Sequence, residues 1–241
     1  MANFNTHFAV GATSSAVITG VLLAMRVVEP TEAILAFAIG TFGSLMPDID
    51  ADNSKAIDIG FTVISLLITI LFVFSKSNIY SLVEMLIMAG VIFSTIRFGF
   101  IVIFRKLSRH RGIFHSIPVA FIWGVGTVII SYYFFRQDSL ISWVYGIMIT
   151  LGYIVHLILD EIYSVDLGNR RVKKSAGTAL KFFSVRSNID AIKYIFVYFI
   201  LIALYMYAPD SSMVEQALFS HNAWLNFKDV LLPYDGKWFI H

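Results

Sequence analysis

The chain has 241 residues, 58% of them hydrophobic and 14% charged, with a formal net charge of +2 and no cysteine; its mean hydropathy is +0.77. That apolar excess is more than one soluble core can bury, so much of the surface must face lipid. The charge is too small to suggest nucleic-acid binding, and without thiols any metal must be held by imidazole and oxygen ligands.

Apolar runs predict seven spans, at about 8–25, 31–46, 58–75, 81–104, 113–135, 140–159 and 191–208, near the roughly 20 residues that cross about 30 Å of hydrocarbon. The first has no basic segment before it and no small-residue cleavage site after it, so it is expected to be a retained helix. Pro30 and Pro47 bracket the second, because proline fits a first turn but cannot continue a helix interior. Gly11, Ser15 and Thr19, and likewise Ala36, Gly40 and Ser44, recur one turn apart, the spacing that lets membrane helices approach closely. The first two spans should therefore pack together. Glu84 and Arg97 fall in the fourth span, either as a pair or near its two ends. The fold class expected is an all-α, polytopic transmembrane helical bundle of about seven spans. Residues 1–208 form the membrane domain and residues 209–241 a polar and aromatic tail.

Orientation follows from the basic residues, which are held back on the cytoplasmic side. Arg105, Lys106, Arg109 and Arg111 lie between spans four and five; Arg170, Arg171, Lys173, Lys174, Lys181 and Arg186 lie between six and seven. The connections on the opposite side carry only Arg26, Lys76 and Arg136. This predicts a cytoplasmic N-terminus and a tail on the opposite side.

Threaded through that topology, polar residues from four segments reach the cytoplasmic face. His7 precedes span one, Asp48 and Asp50 follow Pro47, His110 and His115 flank the start of span five, and His156 and Asp160 end span six. His221 and His241 fall in the tail and should be solvated. The spacing of four between His156 and Asp160 puts both on one helix face. An unpaired Asp inside a span costs roughly 2.5–3.5 kcal/mol, which a bound cation or partner would offset; alone, His156 serves equally well as a histidine bonded to a neighbouring helix. The stretch Met46-Pro47-Asp48-Ile49-Asp50-Ala51-Asp52 offers carboxylates to hard or borderline cations. It is also an ordinary acidic turn, or a cap for the next helix with Ser54. It is not an EF-hand, since counting from Asp48 the sixth and twelfth positions are Asn53 and Ile59 instead of Gly and Glu. Gly112 between His110 and His115 permits the backbone change that turns both rings toward one centre.

These residues carry a family likeness. Thr6-His7, Met46 to Asp50 with Ser54, the block His110-Arg111-Gly112-Ile113-Phe114-His115-Ser116, the run His156 to Asp166 and the stretch Lys173 to Lys181 resemble the YdjM-like family of LexA-regulated, inner-membrane, predicted metal-dependent hydrolases. Met46 stands where that family usually has Leu and Phe114 where it often has Thr; neither is a candidate ligand. The resemblance implies a metal-dependent hydrolase of the inner membrane.

The expected activity is metal-assisted hydrolysis of a phosphoester in a lipid or lipid-linked substrate, with a metal-activated water as nucleophile. His7, Asp48, Asp50, His110, His115, His156 and Asp160 are the candidate ligands of one or two divalent ions, zinc, manganese and iron being equally suited. Asp50, Asp160 and His115 are the catalytic candidates. Arg109, Arg111, Lys173 and Lys174 would bind the substrate phosphate, and serve equally as topology signals and contacts to anionic lipid. Two rivals remain open: a metal or proton transporter using the same cluster, and a non-catalytic membrane partner docking through its basic loops or its aromatic tail.

Overall fold

The computed structural model describes residues 4–48, 62, 65, 66, 68–70, 72, 73, 80–100, 115–166, 171, 172, 180–183 and 188–232. Their architecture is helical. Helices α1 (Phe4–Ala24), α2 (Pro30–Gly43), α3 (Leu82–Ser94), α4 (Ile117–Ile129), α5 (Ser139–Ser164), α6 (Asn188–Tyr207), α7 (Ser212–Leu218) and α8 (His221–Leu231) follow in chain order. Wider π turns extend α3 over Thr95–Phe100 and α4 over Ile130–Phe134. Just after α5, two-residue strands β1 (Val165–Asp166) and β2 (Arg171–Val172) pair antiparallel.

Five helical stretches are long and apolar enough to cross a membrane: Phe4–Ala24, Leu82–Gly99, Ile117–Phe134, Ser139–Ser164 and Ile189–Tyr207. The seven expected spans differ from these at two places. The second is a helix of 14 residues, which rises roughly 21 Å and falls short of the hydrocarbon thickness. The third, at 58–75, lies largely outside the described residues; 62, 65, 66, 68–70, 72 and 73 are helical. The end of the second helix also differs from expectation. Its α-helical ladder stops at Gly43, and Pro47 sits in a separate 3₁₀ turn, Met46–Asp48. Proline has no N–H to extend the ladder, and the chain tightens ahead of it, with the Leu45 N–H donating to the Phe42 carbonyl at 2.9 Å.

The first two helices pack as the small-residue spacing predicts. His7, Gly11, Ser15, Thr19 and Leu22 form the buried stripe of α1. A side chain added at Gly11 would collide with Ser44, and one at Gly40 with Ser15, so bare glycine is what lets the two backbones meet. α5 is the central element and packs against α1, α2 and α4, while α6 packs on α4. Asp138 caps α5, its Oδ1 accepting from the Ile141 N–H at 2.8 Å. At the α4–α5 crossing, side chains at Gly124 and Gly146 would strike Thr150 and Val128.

Glu84 and Arg97 do not pair. Glu84 Oε2 accepts from the Ser81 N–H at 2.8 Å and caps the start of α3. Arg97 Nε donates to Thr62 Oγ1 at 2.8 Å.

Two hydrophobic clusters flank the length of α5. One gathers Leu22, Met25, Val27, Val28, Ala33, Ala36, Ile141, Val144, Tyr145 and Met148, with Ala223 of α8 buried against them. The other gathers Met46, Val119, Ala120, Ile149, Tyr153, Leu157 and Val197. The helices after residue 209 sit at the end where α5 begins: Trp143 Nε1 donates to the Pro209 carbonyl at 3.0 Å, and Ser139 Oγ donates to that of Asp210. Ser212 donates to the Asp210 carboxylate through N–H and hydroxyl, holding that carboxyl below its usual range.

Candidate metal centre

His7 opens the buried stripe of α1, one turn before Gly11, and therefore faces the seam that α1 makes with α2 and α5. His156 and Asp160 lie four apart on the buried face of α5, past the midpoint of a helix whose 26 residues rise roughly 39 Å. His115 immediately precedes Ser116, the residue from which α4 starts. The beginnings of α1 and α4 and the end of α5 thus meet at one end of the bundle.

There, three imidazoles converge on one carboxylate. His7 Nε2 is 3.4 Å from Asp160 Oδ1; His156 Nε2 and His115 Nε2 are 3.6 and 3.7 Å from Oδ2. The side chains of His156, His7 and Asp160 are 0%, 1% and 3% exposed, and that of His115 is 13% exposed. These separations exceed the roughly 2.7–2.9 Å of a charge-assisted hydrogen bond. They are close to the edges of a coordination polyhedron, since ligands about 2.0–2.1 Å from one tetrahedral ion lie roughly 3.3–3.4 Å apart. One donor atom each from His7, His156 and Asp160 lies within 4.8 Å of the others, a group that could hold a metal ion.

The rings also contact one another. His7 and His156 stack face to face with centroids 3.7 Å apart and planes 13° apart, and His115 meets His156 edge-on at 5.8 Å. A nitrogen lone pair lies in its ring plane, so the stacked pair as it stands does not aim both nitrogens at one ion, and one ring must turn well out of the stack to ligate with the other. The donor set fits a zinc-like or other borderline cation in chemistry and spacing. Its carboxylate needs such company, because a bare charge at this depth of burial is costly.

The neighbouring turn of α2 holds the site together. His156 Nδ1 lies 2.8 Å from the Ser44 carbonyl oxygen; a carbonyl only accepts, so Nδ1 carries a proton, and in the neutral ring Nε2 is then the lone-pair donor. Ser44 is fully buried, and its hydroxyl donates to the Thr41 carbonyl at 2.7 Å with the His7 carbonyl at 3.3 Å. The sequence marks Ser44 only as a packing residue, since a backbone carbonyl has no signature in a side-chain pattern.

Of the predicted site residues, His7, His115, His156 and Asp160 come together. Asp48 ends the 3₁₀ turn that follows Ser44, a turn that packs on α5, so the backbone brings that position to the same end. Asp50, Arg109, His110, Arg111, Lys173 and Lys174 lie outside the described residues. His221 is exposed at the start of α8.

Neither a curated protein nor a solved structure matches this chain. A family model does, that of the YdjM inner membrane protein, over residues 1–219. With that match across nearly the whole chain and five helices able to span a bilayer, the chain belongs to the YdjM inner membrane protein family and is a multi-pass protein of the inner membrane.

Proposed function

We propose that this protein is a membrane-bound metal-dependent hydrolase acting on a phosphoester in a lipid or lipid-linked substrate at the cytoplasmic face. The observation that carries this reading is the convergence of His7 of α1, His156 of α5 and His115, just ahead of α4, on the buried carboxylate of Asp160 at 3.4–3.7 Å. A divalent cation held there would supply Lewis acidity toward a phosphoryl oxygen and bring the pKa of a coordinated water toward neutrality.

His7, His156 and Asp160 would hold the ion. His115 is the most exposed of the four side chains, so it stands where substrate and water arrive and is suited to move the proton; Asp160 and Asp50 are the other catalytic candidates. Asp48, Asp50 and His110 would complete a second ion's ligand set. Arg109, Arg111, Lys173 and Lys174 would bind the phosphate and balance charge developing in the transition state. The same basic residues, by the positive-inside rule, favour a cytoplasmic location for this end of the bundle.

A metal transporter would use similar ligands, but it needs polar steps along the membrane depth, and Glu84 and Arg97 are engaged in a helix cap and a bond to Thr62. Phosphate release from a panel of lipid phosphates tests the proposal. Detergent-purified protein should hydrolyse a member of the panel, stop on chelation and resume when zinc or manganese is restored. Metal uptake into proteoliposomes with no phosphate released from any member would replace hydrolysis with transport.

A further inference from the structure

The helices at the site end leave one connection that the ligand set does not itself explain. α2 ends at Gly43, and the last carbonyls of a helix have no partner within it. The Ser44 carbonyl is buried where water cannot satisfy it, and the donor it receives is the Nδ1–H of His156, 2.8 Å away. The same residue's hydroxyl lies between the Thr41 carbonyl and the His7 carbonyl on α1. Ser44 therefore touches both histidines of the three-residue donor group, one by ring and one by backbone, without being a ligand.

Bare glycines make that approach possible. A side chain at Gly152 would overlap the Gly40 carbonyl oxygen and the Ser44 nitrogen, both backbone atoms, and one at Gly11 would overlap the Ser44 side chain. Gly152 lies one turn before His156 on the same face of α5, so the close approach of α2 there sets the height of the Ser44 carbonyl against the imidazole.

We infer, resting on the metal centre proposed above, that Ser44 is the positioning residue of that centre: its carbonyl fixes His156 with Nε2 toward Asp160, and its hydroxyl ties His7 to the same turn. Outer partners of this kind change metal affinity by about 10–100-fold when disturbed. Gly152→Ala, which displaces the whole Ser44 turn, should weaken binding of cobalt(II) at least about tenfold and alter its ligand-field absorption. Ser44→Ala, which removes only the hydroxyl and keeps the carbonyl, should weaken it a few-fold, less than that range. Ser15→Ala sits in the same α1–α2 seam against Gly40 but away from the ligands, and should leave affinity and spectrum unchanged.

A second readout needs no metal. In ¹⁵N-histidine spectra of the metal-free protein, His156 should be the Nδ1–H tautomer, and Gly152→Ala should mix the two forms. The inference is overturned if His156 is the Nε2–H tautomer, if both Ser44→Ala and a folded Gly152→Ala bind cobalt like the wild type, or if Ser15→Ala loses as much affinity as Ser44→Ala. Wild-type protein that binds no cobalt but shows the Nδ1–H tautomer would sink the metal centre and the positioning role with it, and would leave the Ser44 contact as a packing feature only.

Discussion

The same helices, α1, α2 and α5, build both ends of this bundle, and the two ends are made of different material. Where α5 begins, they bury Leu22, Met25, Val28, Ala33, Ile141, Tyr145 and Met148 and are covered by Ala223 of α8. Where α5 ends, the same helices bury His7, Ser44, His156 and Asp160. At the apolar end the charged groups, Glu32 and Asp138 among them, stay outside the buried set, so packing alone does not require a carboxylate ringed by imidazoles at the other. A buried ionisable group in a membrane helix is costly and marks a working site by default. The contrast teaches that the apolar end is sufficient to hold the helices together, and it leaves the polar end free for the proposed metal chemistry.

Substitutions at the two ends should separate those roles. The largest effect is expected from Asp160→Ala, which removes the carboxylate common to all three imidazoles: phosphate release should fall about a hundredfold or more while helical content is retained. Met148→Ala in the apolar cluster removes a side chain only 1% exposed and should cost about 2–3 kcal/mol in unfolding free energy through lost packing. Its metal content per folded molecule should match the wild type; a parallel loss of metal would show that the ends are not separable. The smallest effect is expected from Trp143→Phe, which deletes the bond to the Pro209 carbonyl and should cost about 1 kcal/mol, leaving metal content and activity alone. Denaturation monitored by tryptophan-independent circular dichroism measures both costs.

Much of this architecture was legible in the chain. The apolar runs at 8–25, 81–104, 113–135, 140–159 and 191–208 correspond to the five helices able to span a bilayer, because a long continuous run has no other stable form in lipid. The run at 31–46 misled on length. Hydropathy does not distinguish the last turn of a helix from an apolar turn that follows it, and the ladder ends at Gly43. The meeting of His7, His115, His156 and Asp160 was legible because helix order assigns each to the same end, and the spacing of four aligned His156 with Asp160 on one face. Distances among them were not, since they depend on how closely Gly11, Gly40 and Gly152 allow the backbones to approach. The Ser44–His156 bond was hidden for a different reason: its acceptor is main chain. The end-capping role of Glu84 was written locally, as Ser81 three residues before it, but the apolar context drew attention to the span instead of the cap.

Metal content measured by elemental analysis is the most direct test of the central claim. Wild-type protein purified without chelator and offered zinc, manganese and iron in turn should retain at least one equivalent of a divalent ion through gel filtration. Asp160→Ala should retain only a trace under the same conditions, and Met148→Ala the full wild-type amount. A wild-type protein that retains none of the three metals, or an Asp160→Ala protein that retains as much as the wild type, would contradict the account.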